Sequence, residues 1–214
     1  MAGQEAPAPM VEVPLAAMMP GQRHAWLTSL VVPRPIALVS TVDAAGVENL
    51  APFSFFALGG SNPPSLAFCP TGGGGGAPKD TLRNLRETGE FVVHLVTHAI
   101  AAQVNQASAS YPPAIDEAAA VGFTRVPSRV VRPSRIAESP AALECRVLQL
   151  VPVGDGPLAS TWVIGEIVAL HVAPEVVGPD GLPDVGRLDL VARLGRQEWA
   201  RLRPEAVFTL ARPG

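Results

Sequence analysis

Residues 34–56 read R-P-I-A-L-V-S-T-V-D-A-A-G-V-E-N-L-A-P-F-S-F-F. The aliphatic and β-branched run over residues 35–41 predicts a buried strand, and Asp43-Ala44-Ala45-Gly46 supplies a polar turn whose glycine can take positive φ. Residues 47–56 then return as the partner strand. Pro52 cannot donate to a ladder, so an edge, a bulge or a bend is expected there, directly before Ser54. This hairpin places hydroxyls and small residues at strand ends, where a ligand can be held by side chains and backbone together.

The chain on either side extends the same pattern. A short strand is expected at residues 65–69 after the turn Asn62-Pro63-Pro64, followed by a glycine loop over residues 72–76. Asp80 or Thr81 is suited to cap a helix with Leu82 and Leu85 on one face and Gly89 as its stop. Residues 91–96 form another strand, residues 98–106 a second helix, and residues 107–140 an irregular stretch with a short acidic helical piece at 116–120. Strands over 142–152 and 160–172 are separated by Gly154-Asp155-Gly156-Pro157, and Gly165 inside the second marks a bulge or a sharp bend. The proline-rich first twenty residues suit an extended arm, with Met10, Val11, Val13 and Leu15 available to lie along a subunit surface. Many short strands with peripheral helices fit a closed antiparallel barrel.

Composition limits the partners. The 214 residues are 48% hydrophobic and only 16% charged, so some apolar surface is expected to be covered by a second subunit. A net charge of −3, with no basic run, argues against nucleic acid. No apolar run has the roughly 18 residues that span a bilayer, and the N-terminus lacks a basic start followed by an apolar block, so a cytoplasmic protein without a membrane partner is expected. Cys69 and Cys145 lack the spacing of a redox or zinc motif and read as inert thiols.

The candidate chemistry lies in the hairpin and the helix after it. A helix N-terminus offers unpaired N–H groups and a partial positive charge, and Lys79 beside Asp80-Thr81 adds a full charge suited to a phosphate. Ser40, Thr41 and Ser54 are available as hydroxyl donors. The same spacing also fits an ordinary helix cap beside a solvated lysine. The glycine run belongs to no G-x-G-x-x-G or G-K-[ST] motif and reads as a plain loop. No hydrolytic or metal constellation is present: His24, His94, His98 and His171 are scattered, and no serine sits in G-x-S-x-G. His94 fits either a satisfied core position or a ligand-facing one. The acidic pair Asp116-Glu117 reads as solvated.

The hairpin, the turn S-N-P-P-S, K-D-T-L-R-N-L-R-E-T-G-E-F-V-V-H-L-V-T from Lys79, the Y-P-P, S-R-V-V-R-P and E-S-P-A-A-L-E-C-R segments, V-I-G-E-I-V and a late R-L-G together resemble the flavin reductase-like proteins of the FMN-binding split-barrel superfamily. The resemblance runs from about Val32 to Leu210. It implies a mainly β fold, a six-stranded antiparallel split β-barrel of Greek-key type with peripheral α-helices, homodimeric, with an arm over 1–22 and a single FMN-binding domain over 23–214. It implies one FMN per subunit, flanked by Ser40, Thr41, Asn49, Leu50 and Ala51, touched by Ser54 and Phe55, with its phosphate on Lys79, Asp80 and Thr81. Arg193 of R-L-G is a further candidate, from the C-terminal segment or a second subunit. Family members often carry asparagine, glycine and tyrosine where this chain has His94, Arg196 and Trp199. The implied activity is hydride transfer from NADH or NADPH to flavin, with no side chain required as acid or base. An FMN-binding electron carrier, a component working with an oxygenase partner, and a split-barrel module for another small ligand are the other readings.

Overall fold

In the computed structural model, which describes residues 10–72, 79–112, 115–156 and 158–213, helix α1 (Pro20–Leu30) is followed by a two-residue strand β1 (Arg34–Pro35). The decisive hairpin forms as β2 (Ala37–Val42) and β3 (Glu48–Phe53), with Leu38 opposite Pro52 and Gly46 at φ 91° in the turn. Pro52 is accommodated because β3 is an edge strand. Beyond it run β4 (Phe56–Ser61), β5 (Pro64–Phe68), helix α2 (Asp80–Thr88) and β6 (Glu90–Leu95). Short helices α3 (Ala101–Gln106) and α4 (Glu117–Ala120) precede the paired fragments β7 (Arg125–Val126) and β8 (Arg135–Ile136). The long strands β9 (Ala141–Val153) and β10 (Ser160–Val172) follow, then α5 (Val185–Leu188), β11 (Val191–Arg193) and β12 (Trp199–Arg201).

Seven strands make the main sheet, in the order β3-β2-β6-β9-β10-β5-β4, every neighbouring pair antiparallel. The six strands expected are thus seven, because residues 56–61 pair with β5 as a separate strand while β3 stops at Phe53. One face of the sheet closes on a core built from Val39, Phe53, Leu66, Phe68, Phe91 and Val163, with Phe56 of the far edge packed against it. Residues from both edge strands therefore share one interior. The edges themselves share no ladder, so the curled sheet stays open between β3 and β4.

Helix α2 plugs this core with Leu82 and Leu85, each a burial of about 1.5–3 kcal/mol. It stops at Gly89, whose φ of 67° and N–H to the Leu85 carbonyl at 3.0 Å form the expected left-handed cap. Its N-cap is Lys79, one residue ahead of the expected Asp80 or Thr81: the Lys79 carbonyl accepts from Leu82 at 2.9 Å while its side chain makes no capping bond. A second core lies on the opposite face of β2, where Leu38, Leu50, Val104, Phe123 and Val191 meet. Strand β2 is consequently buried at all six positions.

The expectation of an extended stretch over 1–22 meets two corrections. A 3₁₀ turn forms at Leu15–Ala17, and α1 starts at Pro20, a residue well suited to the first helical turn because its missing N–H would have had no partner there. Residues 1–9, and 73–78 of the glycine loop and its exit, lie outside the described residues.

Candidate functional site

Pro52, at the open edge, is the common wall of three adjoining cavities of about 280, 260 and 200 Å³. The sequence places it there for a simple reason: a proline on an edge strand leaves a stretch of backbone that no further strand covers. The first cavity is bounded by Ser54, Phe55, Lys79 and Arg193, joined by Arg34, Arg196 and His24. The second is bounded by Asn49, Leu50, Ala51, Lys79, Asp80 and Thr81, with residues 107–111 and Glu117 opposite. The third links Ser54 and Arg193 to Trp199. The sequence-predicted residues Asn49, Leu50, Ala51, Ser54, Phe55, Lys79, Asp80, Thr81 and Arg193 thus converge on one groove, and Arg193 comes from the same chain.

Ser40 and Thr41 do not line it. Both are fully buried, because β2 is covered on both faces. The Ser40 hydroxyl donates to the Ser134 carbonyl at 2.6 Å, and the Thr41 hydroxyl accepts from Asn84 at 3.2 Å and from Asn49 at 3.4 Å. Thr41 acts on the groove through Asn49, whose amide also donates to the Thr81 hydroxyl at 2.9 Å. That bond leaves the Thr81 proton available to a ligand. Leu50 contributes little polar capacity, since its N–H donates to Glu117 Oε2 at 3.2 Å. Glu117 is accordingly a part-buried structural partner, not a solvated charge, and burial raises its carboxyl above the usual range. Its neighbour Asp116 caps α4 and pairs with Arg125 at 2.7 Å.

The electrostatics are one-sided in the first cavity. Arg34, Lys79, Arg193 and Arg196 line it and, among the described residues, no carboxylate does. Lys79 forms no ion pair among the described residues, lies 5.6 Å from the Phe53 ring centroid, and has its ammonium pushed down in pKa by burial. Arg34 is 6% exposed and donates to the carbonyls of Thr28 at 2.5 Å, Val31 at 2.8 Å and Leu194 at 2.8 Å, leaving Nε without a partner. Burial, then the nearby Arg193, lowers its pKa. Arg193 stacks over Trp199 at 5.1 Å. Helix α1 completes the wall, with the His24 ring 5.9 Å from Phe55.

Arg34 and His24 were not legible as site residues: one reads as the start of a strand and the other as a surface group. Only the tertiary fold shows that neither Arg34 nor its cationic neighbours have a carboxylate to neutralise them. His94 resolves to the core reading. It is fully buried, its Nδ1–H donating to the Leu38 carbonyl at 2.9 Å and its Nε2 accepting from the Ile136 N–H at 3.0 Å. Cys69 and Cys145 are buried free thiols, both pushed up in pKa by burial.

Known proteins share this fold. The sequence model of the Flavin reductase like domain matches residues 29–185. An uncharacterized protein of Deinococcus radiodurans is 40% identical over 187 residues, covering 85% of this chain and 81% of its own. Nitrilotriacetate monooxygenase component B from Bacillus cereus superposes with a TM-score of 0.89 at 30% identity, over 95% of this chain and 100% of its own. The 2-nitrobenzoate 2-nitroreductase of Pseudomonas fluorescens does so with a TM-score of 0.80 at 30% identity, over 94% and 96%. With a family match over most of its length and the same fold in these relatives, the chain belongs to the flavin reductase-like family.

Proposed function

We propose that this protein binds FMN in the groove beside Pro52 and catalyses hydride transfer from NADH or NADPH to flavin. The observation that carries the reading is the cationic lining of the first cavity, where Lys79, Arg34, Arg193 and Arg196 face no carboxylate among the described residues and Lys79 also borders Asp80 and Thr81. A buried positive charge without a counter-ion is costly unless a ligand supplies one, and a phosphate does. Bound FMN would supply the ring that accepts the hydride and hands electrons to free flavin, oxygen or an oxygenase partner.

The chain's own residues bind and orient. Lys79 meets the phosphate where the first two cavities join, and the Thr81 hydroxyl donates beside it because Asn49 holds its oxygen from the other side. The N-terminus of α2 adds about 0.3–1 kcal/mol through its unpaired N–H groups. Asp80 is kept from opposing the anion by its pairing with Arg83. Ser54 and Phe55 border the ring position on the open edge, and α1 shields that side from water through His24 and Ala25. No general acid or base is needed.

The oxygenase-component reading is favoured by the name of the Bacillus cereus relative, and it concerns only where the electrons go next. Titrating the purified protein with FMN and recording absorbance and flavin fluorescence tests the core of the proposal: saturable binding is expected, followed by bleaching on anaerobic addition of NADH or NADPH. A protein that stays colourless through the titration sinks it.

A further inference from the structure

The cationic lining exceeds what one FMN phosphate neutralises. A phosphate monoester carries about −1.5 to −2 near neutral pH. Four permanent or near-permanent cations face the first cavity, so roughly two positive charges remain after FMN is seated. They are also divided in space. Lys79 belongs to both the first and the second cavity, next to Asp80 and Thr81, whereas Arg34, Arg193 and Arg196 belong to the first cavity and not the second.

The arginine end is built. Arg34 is fixed by three carbonyls with its Nε buried and unpartnered beside the cavity. Arg193 is held by its stack on Trp199 and by donation to the Arg196 carbonyl. Arg196 sits in the turn between β11 and β12, closed by Leu194 N–H to the Glu198 carbonyl and Glu198 N–H to the Gly195 carbonyl, each at 3.0 Å. Its φ of 49° lies in the left-handed region that a bulky L-residue adopts at a cost. A long cation is retained where glycine would be relaxed, and it lines the cavity.

We infer that Arg196 and Arg193 form a second phosphoryl subsite, distinct from the FMN phosphate position, that recognises a phosphate of the dinucleotide hydride donor. The inference rests on the flavin reading above. Two phosphates of a donor share this chemistry: the diphosphate present in both NADH and NADPH, and the 2′-phosphate of NADPH alone.

The test uses FMN-loaded protein and two probes that cannot reduce flavin, ADP for the diphosphate and adenosine 2′,5′-bisphosphate for the 2′-phosphate, titrated by calorimetry. Losing a charge-assisted contact weakens binding by about tenfold or more. Arg196→Gln is expected to weaken one of the probes by that factor, with a matching rise in KM: for NADPH alone if the 2′-phosphate is read, for both donors if the diphosphate is. Arg196→Gly, which removes the charge and relaxes the turn, is expected to show the same loss with no fall in melting temperature, separating recognition from folding. Equal probe affinities and unchanged KM values in both variants overturn the subsite. Failure of the wild-type protein to take up FMN is seen before any probe is added, and it overturns the flavin reading and this inference with it.

Discussion

At the scale of single residues, His94 and Lys79 are two bases with opposite uses, one sealed in the core and one exposed at the groove. His94 has a donor and an acceptor filled by the backbone and its pKa is depressed to about 4, chiefly by burial. The unfolded chain protonates it near 6.5, so its contribution to stability is complete above that pH and is lost as pH falls from about 6.5 toward 4. Linkage puts the loss at about 2 kcal/mol between pH 7.5 and pH 5. Urea denaturation of the wild type and of His94→Asn at these two pH values checks this: the variant should lack that part of the pH dependence, and an identical dependence in both would remove His94 as its source. Lys79, in contrast, has no partner among the described residues and a cavity on either side. Lys79→Ala should weaken FMN by about 1.5–3 kcal/mol, roughly ten- to hundredfold, while leaving riboflavin affinity nearly unchanged because riboflavin has no phosphate. Equal weakening of both flavins would mean that the lysine supports the groove's shape instead.

At the scale of elements, the bulge in β10 shows how strand geometry reaches the groove. The register of β10 against β9 shifts between Ile164 and Gly165, and a Cβ on Gly165 would come within 2.4 Å of the Phe91 ring. Phe91 packs on Phe68 at 5.4 Å, and Phe68 on Phe53 at 5.1 Å, the last of these a wall of the groove. Gly165→Ala should therefore destabilise the fold by about 1–3 kcal/mol through overpacking, read as a lower urea midpoint. A change within about 0.5 kcal/mol would show that the aromatic chain yields freely. This bulge was legible in sequence because glycine interrupts an otherwise regular strand, as were the hairpin turn and the glycine stop of α2. Strand β4 was not: Phe56–Ser61 is exposed at nearly every position and has two glycines, so no alternation marks it and only its pairing with β5 defines it. Helix α1 escaped for a related reason, since Thr28 is its one buried residue and no apolar face announces it. In the site, the hydroxyls and Lys79 were candidates from local spacing, whereas Asn49, Leu50, Ala51, Phe55 and Arg193 came only from the family resemblance. Ser40 and Thr41 misled because spacing cannot show that β2 is covered on both sides, and Arg34 is fixed beside the groove by a bond to the Leu194 carbonyl, 160 residues away.

At the scale of the whole molecule, exposed apolar side chains bear on the expected homodimer. Large apolar side chains stand exposed at the end of α1 and in the C-terminal segment: Leu30 is 69% exposed, Val31 63%, Phe208 79% and Leu210 81%. Isolated apolar residues need no explanation, whereas several on each of two segments fit the expectation that a second copy covers them. Arg34 bonds the Thr28, Val31 and Leu194 carbonyls and so ties the end of α1 to the segment after β11. Sedimentation equilibrium is expected to return about twice 22.3 kDa at micromolar concentration. The double variant Leu30→Glu with Phe208→Glu should shift that mass toward the monomer, because each charge would have to be desolvated in the interface. Since His24, Ala25 and Thr28 of α1 also wall the flavin groove, the same variant should weaken FMN binding if the second copy holds α1 in place. A wild-type protein that sediments as a monomer at all concentrations would instead assign the apolar ends to a different partner.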